Sequence, residues 1–291
     1  MLKMRLVILR SIIGVTGLLV LFLLVFKCKK DTAGDAYEND TNFTLSKYAS
    51  FLLNLKDTSR YIVVPLNEFR QIYDSTKVII SLRHDVDVSL KIAYEMSKLE
   101  NQMGFRTTYF ILHTADYYHK PNDMNSHHES ILPTLHIMQD DFNHEIGWHN
   151  DLVTLDLVYK IDPVQYLQTE LSWLRGNRIN IFGSSSHGST YCYLYGYLNY
   201  YFFKECSLHA VEGFPNYIKA KIGNDSIPLR KGKFSDFNLF YEAYFLNNNK
   251  YFSDGAIIEE KHWNFAMLDL NSFLPGDRII ILTHPIHWIK K

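Results

Sequence analysis

Cysteine is scarce in this sequence of 291 residues, which contains only Cys28, Cys192 and Cys206. A disulfide framework needs more cysteines, and no Cys-x-x-Cys pair is present to build a zinc knuckle. Cys192 and Cys206 could pair with each other, so the redox compartment stays open. With 47% hydrophobic residues, the chain has enough apolar material for one sizeable folded domain and an appendage.

Two nucleotide-binding signatures are also missing, and so is an excess of positive charge in the body of the chain. Neither Gly-x-Gly-x-x-Gly nor Gly-x-x-x-x-Gly-Lys-Ser/Thr occurs, which argues against a dinucleotide site and a P-loop. Six of the 30 basic side chains lie in the first thirty residues, which contain no acid. The remainder holds 24 basic and 31 acidic side chains, a net charge of −7, so no nucleic-acid partner is expected.

The longest apolar run predicts a membrane anchor. Residues 11–26 carry no charge, and residues 6–9 extend the run to about the length that crosses a bilayer. No cleavage signal follows, so we expect residues 1–30 to form a single-pass transmembrane signal anchor with the folded domain outside the cytoplasm. The positive charges are equal on both sides and do not decide the orientation. A lipoprotein acylated at Cys28 is the alternative.

The rest of the chain alternates between strand and helix patterns. Residues 31–60 are expected to form a polar tether and an amphipathic helix, the latter at residues 45–55. Strands are predicted at residues 61–64, 78–82, 107–112, 145–148, 180–182 and 278–282, with helices at 65–73, 89–103 and 130–138 and from Pro163 onward. This order predicts a parallel α/β sheet or barrel. The tyrosine-rich residues 191–203 fit a helix or a strand.

One buried strand ends in a dense group of ionisable side chains. The β-branched residues 78–80 precede the sequence Arg-His-Asp-Val-Asp, in which Asp85 and Asp87 are two residues apart. In an extended chain both carboxylates point to the same side, and two carboxylates this close need a cation or a shared proton. A turn followed by a helix N-cap at Ser89 would explain the same residues without a metal.

Four motifs that follow strands carry a family resemblance. They are Asp85 with Asp87, Glu145-Ile-Gly-Trp-His149, His187-Gly188 and Leu282-Thr-His-Pro285. In this order they resemble the polysaccharide deacetylases, the NodB homology domain of carbohydrate esterase family four, in a branch whose first motif reads Arg-His-Asp-Val-Asp. The likeness covers residues 61–291. It implies a distorted (β/α) barrel with its site at the carboxyl ends of the strands, and a divalent metal, expected to be zinc, held by one Asp and two His.

The resemblance also implies which side chains hold the metal. Asp87 and His149 match two of the ligands, although the roles of Asp85 and Asp87 are interchangeable at this stage. The second histidine of the family's His-x-x-x-His motif would fall at Val153, which cannot bind a metal. We therefore expect His187 to supply the third ligand from another strand, since zinc accepts His and Asp together.

The catalytic roles follow from the same resemblance. Asp85 is expected to act as general base toward a water, and His284 as the general acid that protonates the departing amine. Asp254 resembles an acidic residue that orients this histidine, and Trp288 is expected to pack against a sugar face nearby. Together these residues would hydrolyse an acetamide.

Other polar and aromatic residues receive less specific expectations. Arg83 is expected to pair with an aspartate or contact the substrate, and His84 to orient Asp85 or its loop. Five further histidines are expected to be mostly solvated: His113, His119, His127, His128 and His136. The tyrosines between Tyr191 and Tyr201 fit either core or a sugar-binding platform.

The family resemblance and the predicted anchor together imply a membrane-anchored, metal-dependent hydrolase that would remove N-acetyl groups from a cell-envelope glycan or its precursor. Such an enzyme is a carbohydrate deacetylase acting on non-peptide C–N bonds, with a glycan and the membrane as its partners. One alternative is an inactive, deacetylase-like glycan-binding or scaffolding module, which Val153 would suggest. Another is a metal hydrolase of a different C–N or ester bond.

Overall fold

The structure is a computed structural model that describes residues 42–120, 123–207, 218–258 and 261–288. The predicted membrane anchor at residues 1–30, the first part of the tether and Cys28 lie outside the described residues. Within the described ranges, no helix has both the length and the apolar character needed to cross a membrane. Residues 41–291 form one compact unit, so the predicted amphipathic helix belongs to the same unit as the sheet.

The central sheet is parallel throughout. The strands of the described residues are β1 Tyr61–Val63, β2 Val78–Val86, β3 Thr108–Leu112, β4 Glu145–Asn150, β5 Ile181–Ser186, β6 Lys219–Ile222, β7 Asp225–Pro228, β8 Tyr241–Glu242, β9 Lys250–Ser253, β10 Ile257–Ile258, β11 Lys261–His262 and β12 Arg278–Thr283. The main sheet runs in the order β8-β5-β4-β3-β2-β12-β9, and β1 also pairs with β2. The strands β6 and β7 form a separate antiparallel pair, as do β10 and β11.

The sheet is strongly curled. Arg83 on β2 donates a hydrogen bond to Ser185 on β5, although β3 and β4 lie between these strands. In a flat sheet, strands three positions apart would be about 14 Å from each other. The inner face therefore encloses a partial barrel, which confirms the α/β class and the parallel sheet. Within the described residues no pairing joins β8 to β9, and the rings of Tyr244 and Tyr251 lie 6.0 Å apart at this seam.

Helices pack around the sheet. The α-helices of the described residues are α1 Leu45–Asn54, α2 Leu66–Phe69, α3 Leu90–Gln102, α4 Ile131–His136, α5 Leu152–Leu157, α6 Pro163–Gly176 and α7 Thr190–Tyr195. Ser89 caps α3 through its hydroxyl, and Asp162 caps α6 with Pro163 in the first turn. The tyrosine-rich stretch forms α7 and a 3-10 helix at Asn199–Phe202.

The inside of the barrel is filled below the carboxyl ends of the strands. Two glycines make room for large rings there, because a Cβ on Gly147 would lie 2.4 Å from the Phe110 ring and a Cβ on Gly183 would lie 2.1 Å from the Tyr241 ring. Phe110 and Tyr241 belong to a buried apolar cluster with Ile280. This cluster fills the lower barrel beneath Arg83, whose guanidinium lies 5.6 Å from the centre of the Phe110 ring.

The structure differs from the sequence-based expectations for two cysteines and two histidines. Cys192 and Cys206 are both buried and both free, so the possible disulfide does not form. His113 and His119 are buried rather than solvated, and the His113 ring stacks on Trp148 at 4.5 Å. The loop that follows β3 folds back over the core, which a polar composition does not reveal.

Candidate metal centre and active site

The strand β2 delivers its polar side chains to two different faces of the sheet. Arg83 and Asp85 point into the barrel, and Asp87 follows them at the strand's end. His84 points outward, where its ring nitrogens lie 2.6 Å from Thr283 Oγ1 and 2.8 Å from Glu100 Oε1. This alternation is the period of two that any strand imposes. His84 therefore supports β2 and β12 from behind, and it does not orient Asp85 as expected.

Arg83 and Asp85 form a buried, bidentate ion pair. Arg83 Nε lies 2.9 Å from Asp85 Oδ1, and Nη2 lies 2.7 Å from Oδ2. Arg83 also donates to Ser185 Oγ, and its guanidinium lies 4.4 Å from the ring of Tyr244. Burial alone would raise the pKa of Asp85, but Arg83 brings it below its ordinary value. Asp85 is therefore ionised, with both oxygens already held.

Asp87 and two histidines converge at the open end of the barrel. Asp87 Oδ1 lies 3.1 Å from His149 Nε2 and 3.5 Å from His187 Nδ1, and these two nitrogens are 3.2 Å apart. Ligand atoms about 2.0–2.1 Å from a tetrahedral zinc are about 3.3 Å from one another, so one ion fits between all three. Asp87 Oδ1 is buried and has no well-aligned hydrogen-bond partner among the described residues. The donor set and this orphaned oxygen both fit a divalent metal.

A hydrogen bond behind His149 fixes which of its ring nitrogens faces the centre, and backbone hydrogen bonds hold the loop of His187. His149 Nδ1 donates to the carbonyl of Ser185 at 2.8 Å, which leaves Nε2 free to bind a metal. The loop that carries His187 is held at both backbone groups, because its N–H donates to Asn150 O and its carbonyl accepts from Asn199 Nδ2. The site is thus built on β4 and β5 and held from below by Asn199.

The charges of the centre lower the pKa of Asp87 and raise the pKa of His187. Burial would raise the pKa of Asp87, but the neighbouring His149 and His187 hold it well below its ordinary value. Burial would lower the pKa of His187, and Asp87 raises it above the ordinary value instead. The carboxylate is therefore ionised and available as a ligand.

A second group, built around Asp254, lies beside the first. Asp254 Oδ1 accepts from His284 Nδ1 at 2.6 Å, and Oδ2 accepts from the His284 backbone N–H at 2.8 Å. His284 Nε2 then faces Asp87 Oδ2 at 3.9 Å. Burial opposes a charged His284, but the charge of Asp254 raises its pKa to about 10. His284 is thus an oriented imidazolium at the edge of the Asp87 centre.

Trp288 has a different place from the one expected of it. Its indole is fully buried and donates to Asp254 Oδ2 at 3.0 Å. A sugar cannot reach it, so the predicted packing against a sugar face is wrong. Trp288 instead contacts the ring of Phe43 at 4.9 Å and holds Asp254 in place.

Asp254, His284 and His287 are also close enough to one another to hold an ion. His287 Nδ1 lies 3.3 Å from Asp254 Oδ2. The Asp254 oxygens, however, already accept hydrogen bonds from His284 and Trp288, whereas Asp87 Oδ1 has no such bond among the described residues. The Asp87 group is therefore the better metal site.

Val153 does not face the centre. Its side chain is buried in the apolar core on α5, and its N–H donates to Asn199 Oδ1 at 2.9 Å. The position that the family resemblance would give to a second histidine is thus part of the packing. His187 Nδ1 instead lies 3.2 Å from His149 Nε2, so His187 is the second histidine of this group.

Three supporting residues were not predicted from the sequence. Ser185 bonds both Arg83 and His149, and its position two residues before His187 on the same strand face is a signal that could have found it. Asn199 and Tyr244 lie far along the chain, and no local pattern marks them.

Comparisons of the chain with family models, with curated proteins and with solved structures found no match.

Proposed function

We propose that this protein is a metal-dependent hydrolase of the polysaccharide deacetylase type, which removes N-acetyl groups from a cell-envelope glycan or its precursor. The observation that carries the proposal is the convergence of Asp87, His149 and His187 at ligand distances, beside the oriented imidazolium of His284. The order of the sequence motifs and the curled parallel sheet support a deacetylase-like distorted (β/α) barrel.

Asp87, His149 and His187 are the residues that would hold the ion, which is expected to be zinc. A divalent ion there would polarise the acetamide carbonyl and lower the pKa of a water. Asp85 Oδ2 lies 3.6 Å from His149 Nε2, so the base in this proposal borders the ligand set directly. The fixed pair with Arg83 keeps its carboxylate oriented.

His284 serves as the acid in this proposal. Cleavage of the amide C–N bond releases an amine, and the leaving nitrogen must gain a proton as the bond breaks. The pKa of His284, raised to about 10, keeps the proton on the imidazole at neutral pH until the leaving nitrogen takes it. Asp254 holds Nδ1, so Nε2 is the atom that donates.

The proposed setting is the cell envelope, because residues 1–30 have the composition of a membrane anchor. The described residues neither contain this segment nor bear on it. The glycan class follows from the family resemblance and from this expected location.

Metal content is the direct test. We would measure zinc in the purified chain beside Asp87→Ala, His149→Ala and His187→Ala, with His136→Ala as the control because His136 pairs with Asp140 at the surface. Stoichiometric zinc in the wild type and in the control, lost in the other three variants, is expected. Acetate release from N-acetylated glycans should follow the same pattern.

Other outcomes separate the alternatives. Folded protein that takes up no metal even after supplementation would leave a glycan-binding or scaffolding module as the better account. Metal uptake with no acetate release from any glycan, together with hydrolysis of other amides or esters, would assign a different bond to the same residues.

A further inference from the structure

The tyrosine-rich segment divides into a buried part and an exposed part. Tyr197, Tyr200 and Tyr201 are buried in the core, whereas 67% of Tyr193 is exposed. Tyr191 and Tyr193 are two residues apart on α7, which places them about 200° apart around the helix. The two side chains therefore face different surroundings, and the Tyr191 ring stacks on Tyr195 with the ring centres 6.4 Å apart.

Tyr193 lies over the loop that carries His187. Its hydroxyl oxygen is 3.1 Å from the position that a Cβ on Gly188 would take. Gly188 directly follows His187, one of the three candidate metal ligands. The ring thus borders the metal centre on the β5 side.

Tyr244 borders the same centre at the seam of the sheet. It is 44% exposed, and its ring lies 4.4 Å from the guanidinium of Arg83, which holds Asp85. Tyr251, also half-exposed, places its hydroxyl 3.4 Å from Arg83 Nη1. Aromatic faces therefore line the side of the centre between β8 and β9.

We propose that Tyr193 and Tyr244 bind the pyranose ring that carries the acetamido group, and that they give the site its preference for a sugar. This inference rests on the proposed deacetylase function. A pyranose presents C–H groups on its faces and hydroxyls around its rim, and a half-exposed tyrosine offers an apolar ring with a polar tip. Such rings hold the sugar while the metal centre and His284 act on its amide.

The test compares a sugar substrate with one that has no sugar. For the zinc-loaded chain we would measure kcat/KM for tetra-N-acetylchitotetraose and for 4-nitrophenyl acetate, and take the ratio of the two. In Tyr193→Ala this ratio is expected to fall by about tenfold or more, through a higher KM for the sugar. Tyr193→Phe, which keeps the ring, should stay within about threefold of the wild type.

The control is Tyr191→Ala, which removes the same type of side chain from the other side of α7 and should leave the ratio within about twofold. An unchanged ratio in Tyr193→Ala, or an equal fall in the control, would overturn the inference. Wild-type protein that cleaves the ester but neither cleaves nor binds the chitotetraose would also overturn it, while leaving a metal hydrolase in place. If neither substrate is cleaved, the proposed function fails, and equal chitotetraose binding by wild type and Tyr193→Ala would then refute the platform separately.

Discussion

Replacing Glu100 with glutamine should destabilise the fold more than any surface change, because this carboxylate organises the layer behind the active site. Glu100 lies on α3 and is fully buried. Its Oε1 accepts from His84 Nε2 at 2.8 Å and from the hydroxyl of Tyr48, and its Oε2 accepts from Thr107 Oγ1 at 2.8 Å and from the hydroxyl of Tyr109 at 2.6 Å. A glutamine keeps the shape, but its amide nitrogen would face donors instead of accepting from them.

The magnitude follows from the pKa of Glu100. Burial alone would raise it, but His84 and the other donors lower it from 4.5 to about 2. A difference of this size corresponds to about 3 kcal/mol, which the ionised carboxylate contributes to folding at neutral pH. The folded-state pKa is the lower one, so this contribution is present above about pH 4.5 and is lost as the pH falls through 2. Glu100→Gln should therefore cost about 3 kcal/mol at pH 7 and progressively less below pH 4.5.

Urea unfolding followed by tryptophan fluorescence measures this difference at pH 7, 4.5 and 3. Glu95→Gln is the matched control, since Glu95 lies on the same helix and is exposed. A cost below about 1 kcal/mol at pH 7 would refute the reasoning. So would a cost that stays constant down to pH 3, because it would then not come from the charge.

Three further predictions concern buried groups. Val153→His should lower the free energy of unfolding in urea by about 2 kcal/mol without tightening zinc binding, because the imidazole would be buried in the apolar core. A higher zinc affinity of this variant would contradict the assignment of His187 as the ligand. Burial raises the pKa of Glu145 to about 7, above its unfolded value of 4.5, so wild-type stability should fall by up to about 3 kcal/mol between pH 4.5 and 8. Glu145→Gln should flatten this part of the urea-midpoint profile, and an unchanged slope would assign it to other groups. Asp254→Asn should lower the pKa of His284 from about 10 to below about 7 in an NMR titration of zinc-free protein, whereas a value that stays near 10 would show that Asp254 does not hold the charge.

The period-two rule explains which parts of the site could be predicted. It places Asp85 and Asp87 on one side of the chain, although β2 runs to Val86, four residues beyond the predicted end at residue 82. The rule also sends His84 to the opposite face, so a direct contact with Asp85 could have been excluded from the sequence. The sequence does not reveal that Glu100 receives His84, because that contact depends on how α3 docks against the sheet.

The placement of Trp288 and Asn199 could not be predicted, because it depends on contacts with residues far away in the sequence. Trp288 is an aromatic residue five positions after the end of β12, which fits an exposed platform as well as a buried support. Trp288 is buried because Phe43, which precedes α1, packs against the indole. Asn199 is similar, since a lone asparagine in a tyrosine-rich stretch gives no sign that it holds the His187 loop.

The replacement of the missing histidine follows from the register of two strands. His149 on β4 pairs with Ser185 on β5, and the strands are parallel. His187 is two residues past Ser185, so its side chain leaves the sheet on the same face as that of Ser185. It therefore lies on the same face as His149, slightly beyond it along the strand direction. A short inward bend of the loop, held by the bonds to Asn150 and Asn199, is then enough to bring the two rings together. A second ligand one helical turn after His149 is thus unnecessary for a metal site, and Val153 is no argument for a lost activity.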